Sequence, residues 1–198
     1  MTPLEEQVLF YHSIGRALEQ WASVESQLER IAGACVHPRD SFTIMAGYNS
    51  IENFRSKLSF CDSLIKTSAK LPADSTAWDF AHKKCADLSA KRNRMAHEKH
   101  RRFPLGTEGR RIGLVPSNVD LGDGLRPPSL ALCVRNIEEA RQEFFALTGC
   151  LANLYEALHG RPTLFPAYPS QSTSPPSLRA LRDQIHAELG VQRRPLRR

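Results

Sequence analysis

Apolar residues recur at steps of three and four from Leu4 through Val8, Tyr11, Ile14, Leu18, Trp21, Val24, Leu28 and Ile31 to Cys35. That spacing keeps side chains on one face of an α-helix, so it predicts a long first helix, which Pro38 ends. A short linking piece follows around Ser41 to Tyr48. Asn49 or Ser50 then offers a cap for a second helix with the stripe Ile51, Phe54, Leu58, Cys61 and Ile65, closed by Pro72. Asp74 or Ser75 opens a third helix with Trp78, Ala81, Cys85, Leu88 and Met95 on its apolar face.

Between Phe103 and Val134 glycine, proline and aspartate accumulate and the helical period is lost. Two stretches there, Arg111 to Val115 and Leu130 to Val134, are rich enough in branched residues to be strands, with the Asn118 to Pro128 turn region joining them as a hairpin. Helicity resumes with Asn136 as the expected N-cap and Glu139 three residues on, and runs through Phe144, Leu147, Leu151, Leu154 and Leu158 to the stop signals Gly160 and Pro162. The pattern describes a mainly α domain over residues 1–160, with a small β-hairpin or irregular insertion before its last helix. Residues 161–177 are dominated by proline, serine and threonine and read as a linker. Residues 178–198 carry a short amphipathic helix (Leu178, Leu181, Ile185, Leu189) and a basic end of Arg193, Arg194, Arg197 and Arg198.

Composition narrows the chemistry. The 198 residues carry 27 Lys and Arg against 21 Asp and Glu, a formal charge of +6 that favours a polyanionic partner. No apolar run approaches a membrane span, and the first residues place Glu5 and Glu6 where a secretory signal would be basic, so a cytoplasmic protein with no membrane partner is expected. The five cysteines, Cys35, Cys61, Cys85, Cys133 and Cys150, are widely spaced and sit mostly in apolar helical context, which reads as buried free thiols.

One residue conflicts with its own helix. Continuing the stripe 78, 81, 85, 88 leads to position 92, and position 92 is Arg. A guanidinium on a core-facing side costs several kcal/mol unless a carboxylate, carbonyls, a subunit seam or an anion meets it, an order of magnitude set by charge desolvation. A purely structural answer is available: helix-end carbonyls, or Glu19, Glu25 or Glu29 of the first helix, with His97 serving the helix C-terminus. A chemical answer is available too. At about 100° per residue, Asn93 and His97 share a face, and Arg92 is long enough to reach back to them. Imidazole, carboxamide and guanidinium suit proton transfer, orientation and phosphate neutralisation. The window 83–111 holds ten basic residues against three acids. Arg94, Lys99, His100, Arg101 and Arg102 are therefore candidate RNA contacts, with a solvated basic turn as the plain alternative for 99–102.

His97, Glu98 and His100 could begin a metal site, but a third ligand is missing nearby, so no metal or other cofactor is expected. Patterns for a serine hydrolase, a dinucleotide enzyme or a phosphate loop do not occur.

The run Arg92-Asn93-Arg94-Met95-Ala96-His97 resembles the R-x4-6-H motif of the HEPN superfamily (higher eukaryote and prokaryote nucleotide-binding domain), including the polar residue after the Arg and the small residue before the His. The order of helices extends the likeness over roughly Leu4 to Gly160. The resemblance implies a four- to five-helix HEPN-like up-and-down bundle that homodimerises so that two motifs face one cleft, and metal-independent cleavage of RNA. It also implies His97 as general acid or base, Arg92 stabilising the phosphate, Asn93 orienting it, and a setting in defence or toxin–antitoxin pairs with an antitoxin or regulatory protein as partner. Where paired family members often carry Tyr two residues after the His, this chain has Lys99, a departure that counts against regulation by tyrosine modification. The alternative is a non-catalytic helical module that binds RNA or a protein partner.

Overall fold

The computed structural model describes residues 2–68, 76–104, 110–115 and 131–161. It is mainly helical, with five helices and one two-stranded antiparallel sheet among the described residues: α1 (Pro3–Ala34), α2 (Ser41–Asn49), α3 (Phe54–Thr67), α4 (Thr76–His97), β1 (Lys99–Pro104), β2 (Arg110–Val115) and α5 (Val134–Leu158). The openings expected at Asp74 or Ser75, the Asn118 to Pro128 turn, the 161–177 linker beyond Arg161 and the 178–198 helix lie outside the described residues. The chain divides into two compact units.

The larger unit spans residues 16–97 together with the part of α5 from Ala140 onward. Its core is built from the predicted stripes: Trp21, Val24, Leu28 and Ile31 of α1, Leu58, Cys61 and Ile65 of α3, Trp78, Ala81, Cys85 and Leu88 of α4, and Phe144, Leu147 and Leu151 of α5 are all buried. Trp21 is the hub. Its ring lies edge-on to Phe54 at 4.7 Å and to Phe144 at 5.1 Å, geometries that suit the aromatic quadrupole. Burial explains the quiet thiols: it pushes Cys61 up to about 12 and raises Cys85 and Cys150 as well, so Cys61 and Cys85 stay protonated in the core. All five cysteines are free, three of them buried and Cys133 and Cys150 half-buried.

Two expectations are corrected in this unit. The stretch from Ser41 is a helix, α2, and not a link. Its apolar residues surround the axis instead of forming a stripe, so it carries no helical period, and of its residues only Tyr48 is buried. Gly33 lets α2 come close to α1, since a Cβ there would stand 2.9 Å from Ser41 Oγ and 3.2 Å from Met45. The cap of α3 is Asn53, not Asn49 or Ser50: its side chain accepts from the Arg55 amide at 2.8 Å, satisfying a first-turn donor.

The smaller unit combines the start of α1 with residues from 98 to 139. Here β1 pairs with β2 from Lys99↔Val115 to Pro104↔Arg110. The hairpin partner of β2 is thus Lys99–Pro104, not Leu130–Val134. Among the described residues, that later stretch supplies a single bridge, Leu132 to Leu114, and Val134 already begins α5. Leu9, Phe10, Ile112, Leu114, Val134 and Ile137 are buried in this unit. Asn136 is not the N-cap of α5. Its Oδ1 accepts from the Cys133 amide at 3.1 Å, and Cys133 O receives Ile137 N, so Cys133 is the cap and Asn136 plays the reaching-back part of a capping box. At the other end, Gly160 has φ +68°, Gly160 N donates to Ala157 O and Arg161 N to Glu156 O, which ends the helix as the glycine predicted.

Candidate functional site

In the larger unit, α1 presents Trp21, Glu25 and Glu29 at helical spacing toward α2, α3 and α4, where Tyr48, Asn49, Lys57 and Arg92 complete a concave pocket of about 400 Å³. Arg92 reaches this pocket because it continues the core stripe of α4. Its side chain is half-buried, with Nη2 4.0 Å from Glu25 Oε1. Nη1 donates to Asn93 Oδ1 at 3.1 Å. Nε is buried with no hydrogen-bond partner, a condition that costs about 1–3 kcal/mol where it persists.

Glu25 organises the pocket. It accepts from the indole Nε1 of buried Trp21 at 2.8 Å and from Lys57 Nζ at 3.3 Å. Lys57 also sits over the Tyr48 ring at 5.0 Å. The Tyr48 hydroxyl donates to the backbone oxygen of Glu25 at 3.1 Å. Its pKa is pushed far above the usual phenol range, by burial first and then by the neighbouring Cys61, Glu25 and Glu29, so this hydroxyl is a fixed donor and not an acid. Glu29 Oε1 accepts from Asn49 Nδ2 at 2.6 Å.

The structure therefore joins two of the three residues expected to act together. Arg92 and Asn93 are hydrogen-bonded. His97 stands exposed in the last turn of α4, outside the lining of the pocket, and makes no side-chain hydrogen bond or ion pair among the described residues. Arg92 turns toward α1, where Glu25 is one of the carboxylates the sequence offered. Arg94 is half-buried in the same last turn.

The other basic candidates lie in the smaller unit, on β1, where 99–102 is a strand and not a turn. All four side chains are exposed. Alternation along the strand separates them into pairs. His100 lies edge-on to Tyr11 at 5.4 Å, and Arg102 Nη2 donates to Pro3 O at 3.0 Å and to Gln7 Oε1 at 3.3 Å. Lys99 and Arg101 occupy the opposite face and make no side-chain hydrogen bond or ion pair among the described residues.

Arg92 was visible in the sequence with Glu19, Glu25 and Glu29 as its possible anchors, of which Glu25 and Glu29 line the pocket and Glu19 does not, whereas Tyr48, Asn49 and Lys57 were missed. Only the placement of α2 shows the first two. Among the described residues no group of three or more His, Cys, Asp or Glu side chains is arranged to hold a metal ion, and no helix is long and apolar enough to cross a membrane. Comparison with protein-family models, curated proteins and solved structures finds no match to this chain.

Proposed function

We propose that this protein is a metal-independent endoribonuclease of HEPN type. The observation that carries the reading is Arg92: its half-buried guanidinium is steadied by Asn93, comes no nearer than 4.0 Å to Glu25, and stands on the same last turns of α4 as an exposed, uncommitted His97. In the reaction, the ribose 2′-hydroxyl oxygen attacks the adjacent phosphorus, and the bond from phosphorus to the 5′-oxygen breaks. The products are a 2′,3′-cyclic phosphate and a free 5′-hydroxyl, with no external co-reactant. His97 takes the 2′-hydroxyl proton or delivers one to the leaving oxygen. Arg92 stabilises the charge on the phosphorane, and Asn93 orients the scissile group.

Each Arg92–His97 motif offers one histidine for two proton transfers. A homodimer across a two-fold axis near α4 supplies the second, and makes His97 base in one protomer and acid in the other. Arg94, Lys99, His100, Arg101 and Arg102 serve RNA binding. The activity suits a cytoplasmic toxin or defence effector restrained by an antitoxin or other regulatory protein.

The contact between Arg92 and Glu25 favours a second reading, a non-catalytic HEPN-like module in which Arg92 is structural and the basic residues bind RNA or a protein. Incubating the full chain with structured and single-stranded RNAs in EDTA separates the two. Cleavage leaving cyclic phosphate ends supports the nuclease; intact RNA across several substrates supports the module. Light scattering at micromolar concentration should show a dimer, and a monomer there contradicts the shared site.

A further inference from the structure

We propose that the outer edge of β1 docks an extended segment of a partner protein as an added strand, one in which acidic and apolar residues alternate; the docking does not depend on the nuclease reading, and only its consequence for RNA does. Among the described residues the sheet has two strands, so β1 has a neighbour on one side only. Hydrogen bonding fixes which groups point the other way. Leu114 commits both its amide and its carbonyl to Leu132, at 2.9 and 3.0 Å, on the side of β2 away from β1. In an antiparallel pair such a residue stands opposite one that also turns its backbone outward. That residue is His100, and two positions on Arg102 stands opposite Ile112, whose amide donates to Glu6 Oε1 at 3.2 Å. The N–H and C=O groups of His100 and Arg102 therefore point outward from the edge of the sheet, and they make no hydrogen bond among the described residues. Both residues are exposed. Two donors and two acceptors at strand spacing complement an extended peptide backbone, not a chain of phosphates.

The two faces of this edge select the side chains. Lys99 and Arg101 share one face and make no side-chain hydrogen bond or ion pair among the described residues, so an added strand meets two cations there and suits carboxylates. The start of α1 lies on the other face: Glu6 reaches β2, Pro3 and Gln7 receive Arg102, and Tyr11 packs on His100. Round the helix at about 100° per residue, that progression from β2 to β1 leads next to Leu4 and Val8. Leu4, Val8 and Tyr11 are exposed at 70%, 46% and 41%. The remaining side chains of an added strand meet this apolar stripe, so the partner alternates acid with apolar residue. A second copy of β1 is a poor occupant, because it sets a basic strand against itself. Docking takes Lys99 and Arg101 away from RNA, which is how a regulatory protein restrains the proposed nuclease.

Fluorescence anisotropy of the full chain with a labelled, end-blocked octapeptide of alternating Glu and Val tests this. Only every second peptide amide faces β1. N-methylating one alternate set should weaken binding about tenfold or more, the worth of one or two hydrogen bonds, while methylating the other set leaves it within a factor of about two. His100→Pro should weaken binding similarly, since it deletes an outward N–H at a sheet edge where proline is tolerated. Lys99→Glu combined with Arg101→Glu should turn the preference to a peptide of alternating Lys and Val, a reversal that loss of structure does not produce. Equal effects of the two methylated sets, or no binding at all, overturn the proposal. Methylation-insensitive binding that single-stranded RNA displaces makes β1 a polyanion surface instead, and a homodimer that His100→Pro dissolves, with no peptide bound, gives the edge to a second copy. Peptide docking by a chain that leaves RNA intact keeps the edge and sinks the nuclease. RNA cleavage by a chain that ignores the peptide does the opposite.

Discussion

Glu25 on α1 meets Arg92 on α4 with Oε1 and Nη2 4.0 Å apart, and that same Oε1 accepts from the buried Trp21 indole at 2.8 Å. The carboxylate therefore serves a core aromatic and a pocket cation at once. Replacing it by Ala strands the indole N–H and leaves Lys57 and Arg92 without their counter-charge. Glu25→Ala should cost about 1–3 kcal/mol in urea unfolding, chiefly from the buried donor. Glu25→Gln keeps an acceptor for the indole and should cost less. Equal losses for the two variants would show that the charge, not the hydrogen bond to Trp21, is what matters.

The basic strand should separate into binding and structural members. Lys99→Ala and Arg101→Ala should each lower the slope of log affinity against log salt for single-stranded RNA by roughly 0.7, the share of one phosphate contact, and leave the melting temperature unchanged. Arg102→Ala should also destabilise the chain, because it removes the bonds to Pro3 O and Gln7. Unchanged salt slopes for both Lys99→Ala and Arg101→Ala would remove β1 from the RNA surface.

Asp62 predicts the acid limb of stability. Burial works to raise its pKa, but hydrogen bonds from Lys66 at 2.7 Å and Trp78 Nε1 at 3.0 Å outweigh this and hold the carboxyl below the usual range. A pKa depressed on folding means the unfolded chain binds the proton more readily. The stabilisation is then full above the ordinary carboxylate pKa and is lost as pH falls through the folded value. Asp62→Asn should flatten the fall in unfolding free energy between about pH 5 and pH 2, a window set by that linkage. A wild-type profile with the same slope as the variant would contradict the assignment.

Much of the fold was legible because four of the helices advertise themselves by stripes: Trp21 to Ile31, Leu58 to Ile65, Trp78 to Leu88 and Phe144 to Leu151 are buried where the spacing put them. What was not legible has physical reasons. The short helix α2 is apolar on all sides, so no period marks it. The strand β1 reads Lys99-His100-Arg101-Arg102, with no alternation of apolar and polar residues; its stability comes from pairing with β2 and from contacts of His100 and Arg102 with α1. Asn136 looked like a cap because its type is right, but its side chain reaches back to the residue that is one. Arg92 was visible as a misfit on an apolar stripe. Its neighbours Tyr48, Asn49 and Lys57 were not, because only tertiary packing brings α2 and α3 to it.

The most direct test of the central claim compares wild type with His97→Ala for cleavage of one RNA in EDTA, after both are shown to fold and to have the same oligomeric state. Loss of the proton-transferring group should slow cleavage roughly a hundredfold to ten-thousandfold and leave RNA affinity within a factor of about two, since general acid–base catalysis acts on the rate and not on binding. Arg92→Lys should likewise depress turnover more than affinity, because it keeps the charge and loses the fork. A folded His97→Ala protein that cleaves at the wild-type rate would contradict the account.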